Sequence, residues 1–303
     1  MSIKNGNVRW AFDLRSWRCT LPDLELATSC VQPEERERLS KFHFIDDFKA
    51  SIIGRLLMRQ FIKSCLPELD YNEIRFERDE RGKPFFVPAT DIRDKIDFNM
   101  DFNVSHHERY AVLAGWFGKN SKEHNGRQQH VGVDVMKLEY TGGGKALHEF
   151  FRLMDRTFTS NEWKFIKSRN GDQNQTAAFM RHWSLKESYV KNIGVGITID
   201  LQSIDFQLST DNLFTNKIVR DTVVKVGGKP LNNWLFEESL LDNEHCVGVA
   251  VKNPSPEYLE LSENELIFEV IDFERLMHDA KPLLNIDPMY CQMVLNKKLK
   301  KTV

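Results

Sequence analysis

The chain has 303 residues, enough for one large domain or two smaller ones, each with its own hydrophobic core. Its hydrophobic content of 41% and charged content of 28% are ordinary for a soluble globular protein, and its formal net charge of -2 gives no bulk attraction to nucleic acid. Five widely spaced cysteines without a CxxC pair argue against a disulfide framework or a zinc ribbon, and no apolar run is long enough to span a membrane. The N-terminal stretch lacks the apolar core of a signal peptide, so we expect a cytoplasmic protein.

The first part of the chain predicts strands combined with one long helix. A proline followed by acids is typical of a helix start, and Asp46 or Asp47 is expected to cap the longer helix that follows. The predicted elements, in chain order, are a strand at Val8 to Leu14, helices at Gln32 to Lys41 and from Asp46 to about Lys63, extended segments at Ile74 to Glu77 and Pro84 to Val87, and an alternating strand at Phe98 to Val104.

The second part repeats the combination of strands with a long helix. Tyr110 to Phe117 and His130 to Met136 predict a hairpin across a polar loop, which is also the best domain boundary. Thr159-x-x-Glu162 fits a capping box, and Thr176 to Ile193 predicts a helix that ends at Gly194. Alternating segments at 199–208, 218–226, 234–237 and 245–251 predict an antiparallel sheet. The expected division is an N-terminal α+β half at 1–122, a C-terminal α+β half at 128–254 with the metal site, and an extension at 255–303.

Two acidic positions in the second part are candidates for chemistry. Asp134 interrupts the strongly apolar strand pattern VGVDVM, and a buried carboxylate needs either a cationic partner or a metal ion. Glu187 and Lys191 lie four residues apart in the predicted helix WSLKESYVK, in the favourable order for an ordinary surface ion pair. Spacing alone therefore leaves a structural explanation open for both acids.

Basic and polar residues gather in three places of the first part. Gly82 in the stretch RGKP permits a tight turn that can hold Lys83 as a phosphate clamp, although an ordinary hairpin loop has the same composition. Ser105 and His106 in NVSHH are candidates for binding phosphate oxygens; a Ser–His nucleophile pair is unfavourable because neighbours in a strand face opposite sides. The cations around Arg38 alternate with glutamates, which is typical of a solvated helix face.

Considered together, one acid in a strand, one acid on a helix and several cations on loops predict a site for a divalent metal and a diphosphate. Magnesium takes one or two carboxylates, keeps several waters and completes its shell with substrate phosphates. Asp134 and Glu187 match that number of carboxylates.

Four ordered blocks resemble a known family. VGVDVM, followed about fifty residues later by WSLKESYVK, is similar to the bipartite signature of the 4'-phosphopantetheinyl transferases. RGKP and NVSH resemble two further family blocks, as does the helix pair at Gln32 to Phe42 and Ala50 to Arg59. The order and spacing are similar to the larger, single-chain pseudodimeric type, and the resemblance runs from about Val8 to at least Val251.

The resemblance implies two similar α+β halves related by a pseudo-twofold, with coenzyme A bound between them. It implies transfer of the phosphopantetheine arm of coenzyme A to a serine of an acyl or peptidyl carrier protein, with release of adenosine 3',5'-bisphosphate. The implied partners are coenzyme A and carrier domains of the fatty acid synthase and aminoadipate reductase types. A monomer is expected, with no nucleic acid or membrane partner.

The resemblance also implies a role for each matching residue. Asp134 and Glu187 would hold Mg²⁺ on the diphosphate. Glu187 would accept the serine proton, directly or through water, and Lys191 would contact the diphosphate, which makes both of them catalytic. The residues implied in coenzyme A binding are Arg78 and Lys83 at the nucleotide end, Arg38, Ser105 and His106 at the phosphates, and also Arg81, Gly82 and Asn103.

One position departs from the family pattern. Many relatives carry a second acid two residues after the strand aspartate, where this chain has Met136. A thioether is a poor ligand for magnesium, so we expect at most two carboxylates and a more hydrated metal. Two alternatives stay open at this point, a different metal-dependent phosphoryl-transfer or phosphodiester-cleaving enzyme, and a non-catalytic coenzyme A-binding module.

Overall fold

A computed structural model of the chain describes residues 6–88, 98–119, 128–142, 144–194 and 199–300. The protein is a mixed α+β protein. Its strands, in chain order, are β1 (Gly6–Asp13), β2 (Phe76–Arg78), β3 (Pro84–Phe86), β4 (Phe98–His107), β5 (Tyr110–Lys119), β6 (His130–Lys137), β7 (Ile204–Gln207), β8 (Val223–Val226), β9 (Lys229–Pro230), β10 (Trp234–Asp242), β11 (His245–Lys252) and β12 (Glu269–Val270). Its α-helices are α1 (Leu21–Ser29), α2 (Pro33–Ser40), α3 (Ile45–Cys65), α4 (Leu147–Leu153), α5 (Ser160–Lys167), α6 (Asp172–Ile193), α7 (Pro256–Leu259), α8 (Glu263–Leu266), α9 (Phe273–Met277) and α10 (Pro288–Leu295).

The described residues form two compact units. The first takes its residues from Met1–Glu80, Pro84–Asn120 and Phe268–Thr302, and the second takes them from Arg81–Lys83 and Ser121–Ile267. The division into 1–122, 128–254 and 255–303 stays a prediction about domain organisation. In the structure the last of these ranges is shared between the two units, because β12 pairs with β1 and α10 packs against α1.

A four-stranded sheet and a long helix build the first unit. The strand order is β12-β1-β5-β4, with β1 antiparallel to β5, β5 antiparallel to β4, and β12 parallel to β1. The apolar face of α3 packs on this sheet, and Phe61 lies against Gly115 of β5, where a Cβ would come within 2.6 Å of the ring. The missing side chain at Gly115 therefore lets helix and sheet approach closely.

The start of α3 differs from the prediction. Phe44 occupies the cap position without a side-chain hydrogen bond, so the prediction that Asp46 or Asp47 caps the helix is wrong. Both acids lie in the first turn and bind the C-terminal segment instead. Asp46 accepts a hydrogen bond from the main-chain N–H of Lys300 at 2.8 Å, and Asp47 pairs with the Lys300 ammonium at 2.6 Å. A carboxylate in the first helical turn is favourable for the helix dipole in either case.

The second unit contains two antiparallel sheets. One has the order β10-β11-β6 and carries α6 on its surface; the other is a smaller sheet with the order β7-β8-β9. The alternating segments predicted as one sheet are thus divided between two. The predicted hairpin of β5 with β6 is also wrong, since β5 pairs with β4 through a two-residue turn and β6 pairs with β11. Strand pairing depends on contacts distant in sequence, which alternation of residues does not report.

The sequence argues against a disulfide framework and against a membrane-spanning segment. All five cysteines are buried and none forms a disulfide. None of the helices in the described ranges combines the length and the apolar character needed to cross a lipid bilayer.

Candidate active site

The helix α6 carries two of the predicted site residues. It begins at Asp172, four residues before the predicted start at Thr176, whereas its C-terminal end follows the sequence rules. Gly194 ends the helix in a left-handed conformation at φ 67°, and its N–H donates to the carbonyl of Val190 at 3.0 Å. The preceding helix α5 begins with the predicted capping box, in which Thr159 and Glu162 satisfy each other's main-chain N–H groups. Both predictions are confirmed.

One face of α6 packs closely against β6 and β11. Gly132 on β6 makes this possible, because a Cβ there would lie 2.1 Å from the carbonyl oxygen of Ser188. The amide of Asn192 donates to the carbonyls of His130 and Ala250, each at 2.8 Å, and joins the helix to both strands. The position of the helix relative to β6 is therefore fixed by the close approach at Gly132 and by the Asn192 side chain.

Asp134 of β6 and Lys191 of α6 meet across this contact. The Lys191 ammonium donates to Oδ1 of Asp134 at 2.6 Å, and Ser184 on the same helix donates to the main-chain carbonyl of Asp134 at 2.9 Å. The side chain of Asp134 is 7% exposed, whereas that of Lys191 is 27% exposed. A buried carboxylate thus faces a cation whose side chain is partly exposed.

Glu187 lies on the same helix, one turn before Lys191. Burial and the neighbouring Asp134 carboxylate raise the pKa of Glu187, while the Lys191 ammonium acts in the opposite direction. A carboxylate whose ionised form is destabilised by a neighbouring carboxylate is a favourable place for a divalent cation, because the cation removes the repulsion. The structure thus brings Asp134 together with Glu187 and Lys191, which lie more than fifty residues later in the sequence.

The donor set of this site fits magnesium in number and in chemistry. Across the described residues, no three His, Cys, Asp or Glu side chains cluster closely enough to hold a metal ion. Magnesium does not need such a cage, since it commonly uses one or two carboxylates together with water and substrate phosphates. Met136 lies two residues after Asp134, on the same face of β6, and packs against the aromatic cluster around Phe151 and Phe179.

Within the turn between β2 and β3, residues Arg81–Lys83 belong to the second unit. Gly82 has φ 89°, as the predicted tight turn requires of a glycine. Arg81 donates to the carbonyl of Ile193 at 3.3 Å, and the Lys83 ammonium lies 3.5 Å from the carbonyl of Val131. These two cations therefore lie at the end of α6 and at the start of β6, against residues two positions after Lys191 and three positions before Asp134.

The other predicted coenzyme A-binding residues belong to the first unit. Arg38 is exposed on α2, and Arg78 is on β2. On β4, Asn103 and Ser105 are buried, whereas His106 is exposed and faces the opposite side of the strand. A contribution of these five residues to the site of the second unit stays a prediction.

Sequence reasoning missed two largely buried charged residues, one in each unit. Lys186, next to Glu187, is buried; its ammonium pairs with Glu162 at 2.9 Å and donates to the carbonyls of Leu201 and Ile204. Glu35 on α2, which we assigned to a solvated face, is largely buried and pairs with two arginines. The one signal in the sequence that indicates burial of Lys186 is its position in a largely apolar stretch.

Comparison with known proteins agrees with the resemblance. Residues 15–118 match the family model described as "4'-phosphopantetheinyl transferase, N-terminal", and residues 130–250 match the "4'-phosphopantetheinyl transferase superfamily". The two matched ranges contain all the predicted site residues.

Several relatives match over most of the chain. The "L-aminoadipate-semialdehyde dehydrogenase-phosphopantetheinyl transferase" of Xenopus laevis is 40% identical over 94% of this chain and 90% of its own length. The human protein of the same name is 36% identical over 93% of this chain and 89% of its own length. The "4'-phosphopantetheinyl transferase Sfp" of Bacillus subtilis is 28% identical over 60% of this chain and 69% of its own length. The chain therefore belongs to the 4'-phosphopantetheinyl transferase family, and it is an enzyme that transfers the phosphopantetheine arm to carrier proteins.

Proposed function

We propose that this enzyme takes the 4'-phosphopantetheine arm from coenzyme A and attaches it to a serine of acyl and peptidyl carrier domains, with Mg²⁺ held by Asp134 and Glu187. The observation that carries this proposal is the convergence of Asp134, Glu187 and Lys191 at the contact of β6 with α6. The two carboxylates suit a divalent metal ion, and the ammonium group suits the negative charge of the diphosphate that the metal binds.

The basic turn at Arg81 and Lys83 supports coenzyme A as the donor. Its cations contact the ends of the same two elements that carry the acids, so a polyanion at the acids would meet further positive charge beside them. Gly82 allows the main chain to turn tightly between the two side chains. We assign Arg38, Arg78, Asn103, Ser105 and His106 to coenzyme A as well, as the family resemblance implies.

The reaction needs the chain to align groups and to balance charge. The serine oxygen attacks the β-phosphorus, a new P–O bond forms, and the bond from that phosphorus to the bridging oxygen breaks. Adenosine 3',5'-bisphosphate leaves with the electron pair of that bond. Lys191 faces the diphosphate and offsets the charge that develops on it, and positioning supplies most of the remaining rate increase.

Glu187 is suited to accept the serine proton. It lies one turn from Lys191 on the same face of α6, so the proton would pass to its carboxylate directly or through water beside the diphosphate. A positioned general base contributes on the order of 10²–10⁴ to the rate. When bound, Mg²⁺ supplies Lewis-acid polarisation of the phosphoryl oxygens and neutralises their charge.

A single assay tests the proposal. The chain is incubated with coenzyme A, Mg²⁺ and apo carrier proteins of the fatty acid synthase and aminoadipate reductase types, and the carriers are examined by intact mass spectrometry. We expect the mass of one phosphopantetheine arm on the wild-type carrier and none on a carrier whose acceptor serine is alanine. Unmodified carriers contradict the proposal, and rapid hydrolysis of coenzyme A without any carrier supports the phosphodiester-cleaving alternative.

We also propose that the enzyme is monomeric and cytoplasmic. Each unit has a hydrophobic core formed within the chain, and five buried free thiols suit a reducing compartment. Light scattering coupled to gel filtration is expected to give the mass of one chain, 35.4 kDa. A dimer mass, or secretion of the protein by cells that express it, contradicts this part of the proposal.

A further inference from the structure

The short helix α2 is attached to strand β2 at two points. At its N-terminus, the amide of Gln32 donates to the carbonyl of Phe76 at 3.2 Å and accepts from the N–H of Phe76 at 2.7 Å. One turn later, the Glu35 carboxylate accepts from Nη2 of Arg78 at 3.2 Å and 3.4 Å. The first contact fixes the main chain of β2, and the second fixes a side chain on it.

Glu35 also binds a second guanidinium, that of Arg55 on α3. Nε of Arg55 donates to the same carboxylate, and its Nη1 donates to the carbonyl of Ser51 at 2.8 Å. The side chains of Glu35 and Arg55 are 14% and 13% exposed, and that of Arg78 is 29% exposed. One carboxylate thus joins three elements, and it does so around a small pocket lined by Gln32, Glu35, Arg55, Phe76 and Arg78 among others.

Two guanidinium groups meet at one carboxylate beside this pocket. Arg55 and Arg78 share one carboxylate, and the exposed Arg38 lies on α2 three residues after Glu35, close enough to Arg55 for electrostatic repulsion. Glu35 is therefore a negative charge that both guanidinium groups share in a partly buried place. Loss of this carboxylate removes two hydrogen bonds of Arg78 and leaves the repulsion between the two guanidinium groups less compensated, so the side chain is held less firmly.

We propose that Glu35 is a positioning residue for coenzyme A: assisted by Gln32, it holds Arg78 where that side chain meets the nucleotide end. This inference rests on the proposed function, which assigns Arg78 to the nucleotide. The change in coenzyme A affinity that it predicts for Glu35→Gln is opposite in sign to the change that charge alone would produce. A carboxylate beside an anion repels it, so on charge alone Glu35→Gln would tighten coenzyme A binding, whereas loss of positioning weakens it.

Calorimetric titration of coenzyme A in the presence of Mg²⁺ and absence of carrier tests the inference. Glu35→Gln is expected to raise the Kd of coenzyme A about tenfold, equivalent to about 1.4 kcal/mol, while kcat at saturating coenzyme A stays near the wild-type value. The matched control is Glu37→Gln, the same change on the same helix at an exposed glutamate that pairs with Lys41 on the surface. Its Kd is expected to equal that of the wild type.

A double-mutant cycle separates positioning from a general structural role. If Glu35 acts through Arg78, then Glu35→Gln adds little to the Kd once Arg78→Met is present. Gln32→Ala breaks the other anchor and is expected to weaken coenzyme A binding as well, which covers the case in which Glu35→Gln does not fold. Tighter or unchanged binding by the single variants, or fully additive losses in the double variant, overturns the inference. A wild-type chain that does not bind coenzyme A overturns the proposed function instead.

Discussion

Alanine at Gly132 is expected to disturb the active site without touching any of its residues. A Cβ at this position would lie 2.1 Å from the carbonyl oxygen of Ser188 and 2.6 Å from the main-chain nitrogen of Asn192. Both atoms belong to the main chain of α6, so rotation of one side chain cannot relieve the overlap. Because non-bonded atoms are separated by roughly 3.5 Å, the helix must move away from β6 by about 1 Å.

That displacement affects stability and rate in different amounts. Overpacking of a buried contact costs about 1–3 kcal/mol, which lowers the melting temperature by several degrees in a protein of this size. Asp134 stays on β6, while Glu187 and Lys191 move with α6. A misplacement of about 1 Å between reacting groups can reduce the rate by about 10². We therefore expect kcat to fall far more than stability alone would explain.

Transfer kinetics and thermal unfolding of three variants provide the test. Gly248→Ala is the milder neighbour, since its Cβ would meet the hydroxyl of Ser184 at 3.0 Å. Gly54→Ala is the matched control, because it lies in α3 with nothing within 4 Å and should stabilise the helix by about 0.5–1 kcal/mol. A Gly132→Ala variant with wild-type kcat and melting temperature would refute the claim that this contact sets the site geometry.

Two further predictions concern buried side chains of α6. Lys186→Met leaves the carboxylate of Glu162 buried without its cation, so urea unfolding should show a loss of about 3–5 kcal/mol in the free energy of unfolding. Adding Glu162→Gln should recover part of that loss. Full stability together with lost transfer activity would instead indicate that Lys186 contacts the substrate. Burial lowers the pKa of His182 from 6.5 to about 3, so the unfolded chain takes up a proton there that the folded chain does not, and stability is lost as pH falls from 6.5 towards 3. The unfolding free energy of His182→Leu should decline less steeply with falling pH than that of the wild type, by up to about 1.4 kcal/mol per pH unit, and equal slopes would contradict this account.

The parts of the fold that follow local rules could be predicted from the sequence. The helix α6 and its stop at Gly194, the capping box at Thr159 and the tight turn at Gly82 each depend on residues within a few positions of one another. The candidate acids Asp134 and Glu187 were also identifiable, the first because a lone carboxylate in an apolar strand needs a partner.

The parts that depend on distant contacts could not be predicted. The sequence of β6 does not indicate that its partner is β11 rather than the preceding strand β5, because β5 and β11 have similar residue patterns. Glu35 looked solvated because it lies among other charges on α2, and its two arginines come from elements 20 and 43 residues away. Asp46 and Asp47 looked like caps because the sequence does not show that the C-terminal segment returns to bind them.

The Mg²⁺ dependence of transfer to an apo carrier protein tests the central claim most directly. The initial rate is measured against Mg²⁺ concentration for the wild type, Asp134→Asn, Glu187→Gln and the control Glu244→Gln, whose side chain is exposed on the turn between β10 and β11. We predict wild-type behaviour for the control, a much higher Mg²⁺ requirement for Asp134→Asn, and a loss on the order of 10²–10⁴ for Glu187→Gln even at saturating Mg²⁺. Wild-type rates and Mg²⁺ requirements in both site variants would contradict the assignment of the metal and of the base.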